Sequence, residues 1–309
     1  EIAWSNELMA HVIELKTNGP AADLAKLPAL FQTHVRQISD ILRPLGARLM
    51  PTAMHPWMDP HTEAQLWPHE YNAVYEAFDR IFDCRGHGWA NLQSAHLNLP
   101  FANEEEFGRL HAAIRLLLPL MPALSASSPM MDGAVTGTLD NRMEVYRRNA
   151  RAVPSVAGDV VPEAVFTYAD YQTQILDRIY RDIAPHDPDN ILRQEWLNSR
   201  GAIARFQRDA IEIRVLDVQE APLADVAICA LIASALQRMI DQTWSSYTDQ
   251  QKVSTEALSK ILHDVIRDAD LTMVEDASVL GCFGLASPTT AGEIWRHILA
   301  SAEIDAAFS

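Results

Sequence analysis

The clearest pattern in the chain is an alternation of apolar and charged residues in segment 206–220, FQRDAIEIRVLDVQE. Its β-branched apolar positions are Ile211, Ile213 and Val215. Glu212 and Arg214 alternate with these positions and therefore share the opposite face of a predicted strand. A carboxylate beside a guanidinium could hold a metal ion and an anionic group at the distance that phosphoryl transfer requires. A half-exposed antiparallel strand with a solvated charged face would show the same pattern.

A second strand of the same design is predicted in segment 91–101, NLQSAHLNLPF. Its polar positions are Ser94, His96 and Asn98, and its apolar positions are Ala95, Leu97 and Leu99. A single histidine on such a strand is more often a hydrogen-bonded residue than a metal ligand. The pattern therefore predicts a second polar face without assigning it a metal.

A third segment, 6–20 (NELMAHVIELKTNGP), places Glu14 among apolar residues and Glu7 seven positions earlier. The Asn-Gly-Pro sequence at 18–20 predicts a turn that ends the run. The segment is interpreted either as a strand whose two acids belong to a site or as a strand whose acids are solvated.

Helical spacing of apolar residues predicts the remaining elements. They are a helix opened by Pro28 and ended near Pro44 and Gly46, a helix capped by Asn103 before Glu104, Glu105 and Glu106, and the helices Tyr168–Ile183, Ala224–Ile240, Thr255–Ala269 and Ala291–Ala300, the last with a capping box from Thr290 to Glu293. The strands and helices together predict an α+β fold. We expect one domain over 1–309, with 245–309 as its helical C-terminal part.

The charge distribution limits the class of partner. A formal net charge of −16 on 309 residues argues against a broad nucleic-acid or anionic-membrane surface. Arginines nevertheless cluster at Arg142, Arg147, Arg148 and Arg151, and again at Arg205, Arg208 and Arg214. Arginine forks suit carboxylate and phosphate oxygens, although surface ion pairs with the many acids would explain the clusters equally well.

The three cysteines, Cys84, Cys229 and Cys282, have no Cys-x-x-Cys spacing, so we expect neither a disulfide framework nor a zinc ribbon, and we expect a cytoplasmic location. The most apolar stretch, Ala221–Ile240, carries Asp225, Gln237 and Arg238, so we expect no membrane span.

Familiar nucleotide-binding loops do not occur in the sequence. Neither a Gly-x4-Gly-Lys-Ser/Thr loop nor a Gly-x-Gly-x-x-Gly turn is present, which disfavours P-loop and Rossmann sites. The segment HPWMDPH contains His55, Asp59 and His61, the residue types of a two-histidine, one-carboxylate metal site. A metal-dependent hydrolase built on these three residues is therefore an alternative function.

Several of these segments occur in an order that resembles the glutamate-cysteine ligase family, in particular its bacterial group of carboxylate-amine ligases. The order is Glu-x6-Glu-Leu-x-Thr at 7–17, His-x-Asn at 96–98, LSASSP at 124–129, NRMEVYRRN at 141–149, EWLNSRGAIARF at 195–206 and AIEIRVLDVQEAPLAD at 210–225. The resemblance covers the chain from Glu7 to about Ala230.

The resemblance implies a glutamine-synthetase-like domain, with a curved, mainly antiparallel sheet, helices on its outer face and the active site on its concave face. By position, the implied metal ligands are Glu7, Glu14, His96 and Glu212. The implied residues for substrate or ATP are Asn98, Arg142, Arg147, Arg148 and Arg205, with Arg214 beside the transferred phosphoryl group. The family's first strand carries a Glu-x-Glu motif that this sequence lacks, and we expect that strand to precede Glu1 in the full protein.

The implied reaction joins the γ-carboxylate of glutamate to an amine, with cysteine as the default amine, through an acyl phosphate made from ATP. The implied cofactors are ATP and Mg²⁺, with Mn²⁺ as a substitute because a histidine is among the ligands. Small molecules are the expected partners, and a homo-oligomer is possible. A non-catalytic relative that binds nucleotide or glutamate is a further alternative.

Overall fold

The structure, a computed structural model, describes residues 1–301. The strands are Ile2–Asn6 (β1), Ile13–Thr17 (β2), Ser94–Pro100 (β3), Met130–Met131 (β4), Ala134–Val135 (β5), Ala202–Arg205 (β6), Ala210–Asp217 (β7), Met273–Val274 (β8) and Thr289–Thr290 (β9). The helices are Leu27–Leu42 (α1), Pro60–Glu63 (α2), Asn72–Phe82 (α3), His87–Ala90 (α4), Glu104–Leu117 (α5), Pro122–Ser125 (α6), Asn141–Tyr146 (α7), Tyr168–Tyr171 (α8), Asp177–Ile183 (α9), Pro222–Ile240 (α10), Tyr247–Lys252 (α11), Thr255–Asp268 (α12), Ala277–Cys282 (α13) and Ala291–Ser301 (α14). The predicted α+β class is confirmed.

The principal sheet has three antiparallel strands in the order β3-β7-β6. The alternation predicted for β3 is confirmed, because His96 and Asn98 are exposed whereas Leu97 and Leu99 pack against the core. The strand itself is shorter than predicted, since segment 91–93 precedes it. The sheet therefore presents one polar, open face and one apolar, covered face.

A separate two-stranded sheet pairs β1 with β2, and Ser5 lies opposite Glu14. The sequence pattern predicted β2 but not β1, and Glu7 lies just beyond β1 rather than within a strand. Helix α1 contacts this hairpin, where the indole nitrogen of Trp4 donates to Nδ1 of His34 at 3.0 Å.

Helix α5 runs through the core and begins as its sequence predicts. The side chain of Asn103 accepts from the backbone N–H of Glu106 at 3.0 Å, and the Glu106 carboxylate accepts from the N–H of Ala102 at 2.7 Å. The first bond satisfies an N–H group that the first helical turn leaves free, and the second ties Glu106 to the residue before the cap. The buried stripe of the helix includes Phe107, Leu110, Ile114 and Leu117.

Helix α10 packs against α1 and α5 and buries five apolar or small side chains: Val226, Ile232, Ala235, Leu236 and Met239. Among residues 1–301 it is the one helix whose length and apolar composition would allow it to cross a membrane. Core helices of soluble proteins share those properties, so composition alone does not distinguish the two.

The C-terminal part contains more elements than the sequence predicted. Helices α12 and α14 are present as expected, but α11, α13 and the β8–β9 pair were not predicted. The hydroxyl of Thr290 accepts from the N–H of Glu293 at 3.2 Å, which confirms the cap. The carboxylate of Glu293 pairs with Arg296 at 2.5 Å, so the reciprocal half of the predicted capping box does not form. Segment 302–309 lies outside the described residues.

The helix predicted over Tyr168–Ile183 is present, but it is not a uniform α-helix. A π-helical turn, Gln172–Leu176, joins α8 to α9. The hydroxyl of Tyr171, just before this turn, accepts from the side-chain amide of Asn198 at 2.8 Å and from the N–H of Ala204 at 2.9 Å. The helix is therefore tied to the edge strand β6 of the principal sheet.

Candidate active site

Glu212 lies at the centre of a charged group that all three strands of the principal sheet contribute. Its Oε2 accepts from Arg205 at 3.0 Å, and its Oε1 is 3.5 Å from Nε of Arg214 and 3.6 Å from Nδ1 of His96. Burial alone would raise the pKa of this carboxyl group, but the positive charges of Arg214 and Arg205 outweigh burial and lower it. Glu212 is therefore ionised and held in place by positively charged or polar neighbours.

His96 and Asn98 line the open face beside Glu212. The strand register places Asn98 directly opposite Glu212, and the hydroxyl of Ser94 is 2.8 Å from Nε2 of His96. The ring of His96 lies on the open face with 32% of its side chain exposed. Enclosure by the protein and, secondly, the charge of Arg214 lower the pKa of His96. His96 is therefore a neutral imidazole near pH 7, the form that binds metal ions.

The acids of the β1–β2 hairpin lie near this group. Glu14 accepts from Ser5 at 2.5 Å and pairs with Lys16 at 2.6 Å, and these bonds lower its pKa against the opposing effect of burial. Burial and the nearby Glu14 raise the pKa of Glu7, whereas Arg214 acts in the opposite direction. Within the described residues, Glu7 makes no ion pair. The hairpin thus brings two carboxylates close to the sheet face.

The predicted arginines divide into two sets. Arg142 is buried, and it forms an ion pair with Asp217 beneath the sheet face. Arg147 and Arg148 instead follow directly after α7, and both form ion pairs with Glu144. Arg148 is the more open of the two, with 64% of its side chain exposed against 27% for Arg147. The structure therefore places Arg142, but not Arg148, next to the Glu212 group.

The residues of the alternative metal site serve local structure. Asp59 is the N-cap of α2, because one carboxylate oxygen accepts from the N–H of His61 at 3.0 Å and the other from the hydroxyl of Thr62 at 2.9 Å. The ring of His55 contacts Trp57 edge-on, with 5.2 Å between centroids. Nothing in the described part of the chain supports a hydrolase site built on His55, Asp59 and His61.

Comparison with known proteins decides the family. The sequence model described as glutamate-cysteine ligase family 2 matches residues 3–267. The chain belongs to this family. The family region includes all but the first residue of the hairpin strands and the whole principal sheet.

Individual relatives agree with the family assignment. The chain is 37% identical over 241 residues to an uncharacterized protein of Archaeoglobus fulgidus. The aligned region covers 78% of this chain and 64% of that protein. It is 25% identical over 293 residues to a protein of Corynebacterium glutamicum (strain R) named "Putative glutamate--cysteine ligase 2", covering 89% of this chain and 70% of that protein. A protein of Clavibacter sepedonicus with the same name is 26% identical over 168 residues, covering 53% of this chain and 38% of its own length. The chain thus spans less than two thirds of the archaeal relative.

The side chains at the site are of the chemical types that bind a hard divalent cation. Three carboxylates, those of Glu7, Glu14 and Glu212, and the neutral imidazole of His96 surround the same face. Oxygen donors are those that Mg²⁺ prefers, and a cation would relieve the repulsion between Glu7 and Glu14. In residues 1–301, however, no three His, Cys, Asp or Glu side chains already converge as a ligand set. The two carboxylates with the shortest contacts, Glu14 and Glu212, are bonded to the protein's own cations.

The sequence pattern missed several groups that organise the site. Ser5 bonds Glu14 across the hairpin and Lys16 bonds it from the same strand, whereas Asp217 and Ser128 both bond Arg142. Ser128 and Asp217 occur within the LSASSP and IEIRVLD segments, so their presence in those motifs was the available signal. Their roles depend on contacts between distant segments that no local pattern reveals.

Proposed function

We propose that this protein is an ATP-dependent ligase that joins the γ-carboxylate of glutamate to an amine, with cysteine as the first candidate, in the cytoplasm. Membership of glutamate-cysteine ligase family 2 supports a ligase-type function. The observation that carries the proposal is the arrangement around Glu212, where an ionised carboxylate, two arginines and a neutral histidine meet on an open sheet face. Such a group can bind anions and a metal-nucleotide complex together.

The proposed chemistry has two steps. A carboxylate oxygen of glutamate attacks the γ-phosphorus of ATP, the bond from that phosphorus to the bridging oxygen breaks, and ADP leaves. The amine nitrogen then attacks the acyl carbon, phosphate leaves with the carbon–oxygen electron pair, and the nitrogen loses a proton to solvent or a nearby base. Activation is required because a free carboxylate does not react with an amine.

The chain's own residues have distinct parts in this proposal. Arg214 stabilises negative charge on the transferred phosphoryl group, and Arg205 keeps Glu212 oriented while offering an unused Nε–H group. The Nε–H of Arg214 is likewise buried without a hydrogen-bond acceptor among the described residues. Two unused buried donors beside one carboxylate favour the arrival of an anionic ligand, because burying unpaired donors has a cost. Mg²⁺ or Mn²⁺, held by Glu7, Glu14, His96 and Glu212, would screen the charge between ATP and the carboxylate.

The decisive experiment measures ADP release by the full-length protein with Mg²⁺, ATP and glutamate, with and without cysteine and then with a panel of other amines. Turnover that depends on cysteine, is lost in Glu212→Gln and is retained in Glu105→Gln would support the ligase. Glu105 is a matched control because it also pairs with an arginine, Arg109 at 3.0 Å, but lies exposed on α5. Turnover only with another amine would keep the mechanism and change the acceptor.

The acyl phosphate has its own test. Glutamate labelled with ¹⁸O in its γ-carboxylate should transfer one ¹⁸O to the released phosphate, and mass spectrometry would detect it. Unlabelled phosphate would exclude this intermediate. The absence of ADP release under every condition would overturn the ligase proposal and favour a relative that binds nucleotide or glutamate without turnover.

A further inference from the structure

Asp217 is a buried carboxylate at the end of the strand that carries Glu212 and Arg214, and it takes no part in the chemistry proposed above. It is the last residue of β7 and is 1% exposed. Its Oδ2 accepts from the N–H of Ser127 at 2.9 Å and from the hydroxyl of Ser128 at 2.8 Å, and its Oδ1 accepts from Nε of Arg142. Asp217 thereby joins three segments that are distant in sequence.

Arg142 extends this network to the site. Both terminal nitrogens of its guanidinium approach the carbonyl oxygen of Arg214, at 3.4 and 3.5 Å. The backbone N–H of Arg142 donates to the hydroxyl of Ser128 at 3.1 Å, so the same hydroxyl is shared with Asp217. Asp217 therefore fixes the guanidinium of Arg142, which in turn contacts the backbone of Arg214.

The contact falls where β7 is least constrained by its neighbour β3. Ala95 pairs with Leu216 and Leu97 pairs with Ile213, so one residue of β3 faces two residues of β7. Such a register shift disrupts the ladder locally and re-aims side chains. The N–H of Arg214 donates to the carbonyl of Gly201 at 2.8 Å, towards β6. Its carbonyl has Arg142 as its partner.

We propose that Asp217 is a positioning residue that, through Arg142, sets the direction in which Arg214 points towards the anionic group of the substrate. The inference rests on the proposed function, since it assigns Asp217 an effect on that reaction. Asp217 cannot touch substrate itself because its carboxylate is enclosed and all of its contacts are with the protein. A misplacement of about 1 Å at a site that orients reacting groups can lower the rate by roughly 100-fold.

The test compares Asp217→Asn with Asp187→Asn in the full-length protein. Asp187 is a matched control, because it is equally buried and accepts from the N–H groups of Ile191 and Leu192 at 3.0 and 2.8 Å. We expect Asp217→Asn to lower kcat for ADP release by about tenfold or more, with a smaller change in KM for ATP. After correction for the folded fraction, Asp187→Asn should retain the wild-type kcat.

A double-variant cycle tests the route through Arg142. If Asp217 acts through Arg142, Arg142→Lys should lower kcat by a similar factor, and the double variant should lose little more than either single variant. Ser128→Ala removes one bond to the same carboxylate and should lower kcat to a smaller extent, which keeps the proposal testable if Asp217→Asn does not fold. Wild-type kcat in folded Asp217→Asn or Ser128→Ala, or fully multiplicative losses in the double variant, would overturn the positioning role alone. A wild-type protein that releases no ADP would overturn the proposed function and this inference with it.

Discussion

Asn98 on β3 and Glu212 on β7 face each other directly across an antiparallel pair, with the side chain of Asn98 exposed and that of Glu212 nearly enclosed. Directly opposed residues share one face of a sheet and lie about 5 Å apart at Cβ. An amide is thus held next to an ionised carboxylate on the open face. The side-chain NH₂ group of Asn98 can donate to ligand oxygens without adding charge.

Replacing Asn98 should therefore affect activity more than stability. We expect Asn98→Ala to lower kcat/KM for ATP-dependent turnover by about tenfold, the loss of roughly 1.4 kcal/mol of interaction with the bound ligand. The free energy of unfolding should change by less than about 0.5 kcal/mol because the side chain is exposed. Urea unfolding and ADP release would measure the two effects. Gln174→Ala, an exposed amide on the α8–α9 helix, is the matched control and should change neither quantity.

Asp59 distinguishes the ligase from the hydrolase alternative. Its carboxylate caps α2 through the N–H of His61, and asparagine is an equally good cap. We expect Asp59→Asn to keep both the melting temperature and the activity, and Asp59→Ala to lower the melting temperature by about 2 °C without changing kcat. Activity lost in Asp59→Asn at unchanged melting temperature would restore the hydrolase interpretation.

The sheet shows what an alternating pattern can and cannot predict. Period-two alternation located β3 and β7 and identified the open face. Every second side chain of such a strand is apolar and faces the core, so the polar side chains between them face outwards. Strict alternation from Glu212 would also put Leu216 on the polar face. The register shift between Ala95 and Leu97 breaks that alternation, so Leu216 is buried opposite Ala95. A bulge depends on the pairing of two strands and has no signal in either strand alone.

The buried polar contacts were beyond prediction for a related reason. Arg142 and Asp217 are 75 positions apart, and their contact requires α7 to lie beside the last residue of β7. The sequence identified the arginine cluster at 142–151, but its period and charge do not say which arginine is buried. Strand β1 was missed because a five-residue run, IAWSN, contains too few alternating apolar positions to stand out.

Arg148 tests the division between the two sets of arginines. Because 64% of its side chain is exposed and its ion pair is with Glu144, we expect Arg148→Ala to leave KM for ATP and for glutamate within about twofold of wild type. Arg205→Ala should raise at least one of these values by about tenfold, since Arg205 contacts Glu212. Steady-state kinetics at varied ATP and varied glutamate would compare them. A large rise in KM for Arg148→Ala would show that the segment after α7 reaches the ligand.

The burial of Asp140 leads us to expect that the free energy of unfolding depends on pH, an effect that is measured without an activity assay. It is fully buried, its Oδ1 accepts from the N–H of Met143 at 2.8 Å, and its Oδ2 has no hydrogen-bond partner among the described residues. Burial and the nearby carboxylate of Asp217 raise its pKa well above the ordinary value, although Arg142 opposes them. The folded protein therefore retains a proton on Asp140 at a pH where the unfolded chain, with a pKa of about 4, has released it.

The sign follows from that difference in bound protons. Above about pH 4 the unfolded state binds fewer protons than the folded state, so the contribution of Asp140 makes the protein less stable as pH rises, by at most about 1.4 kcal/mol per pH unit. In Asp140→Asn the new amide would carry no titratable proton, its oxygen would keep the cap on Met143, and its N–H could donate towards the nearby carboxylate of Asp217. We expect Asp140→Asn to gain stability relative to wild type, and to gain more at pH 7.5 than at pH 5. Urea unfolding at both pH values would measure this, with Asp187→Asn as the buried-carboxyl control, and an equal gain or loss at the two pH values would contradict the assignment of a retained proton.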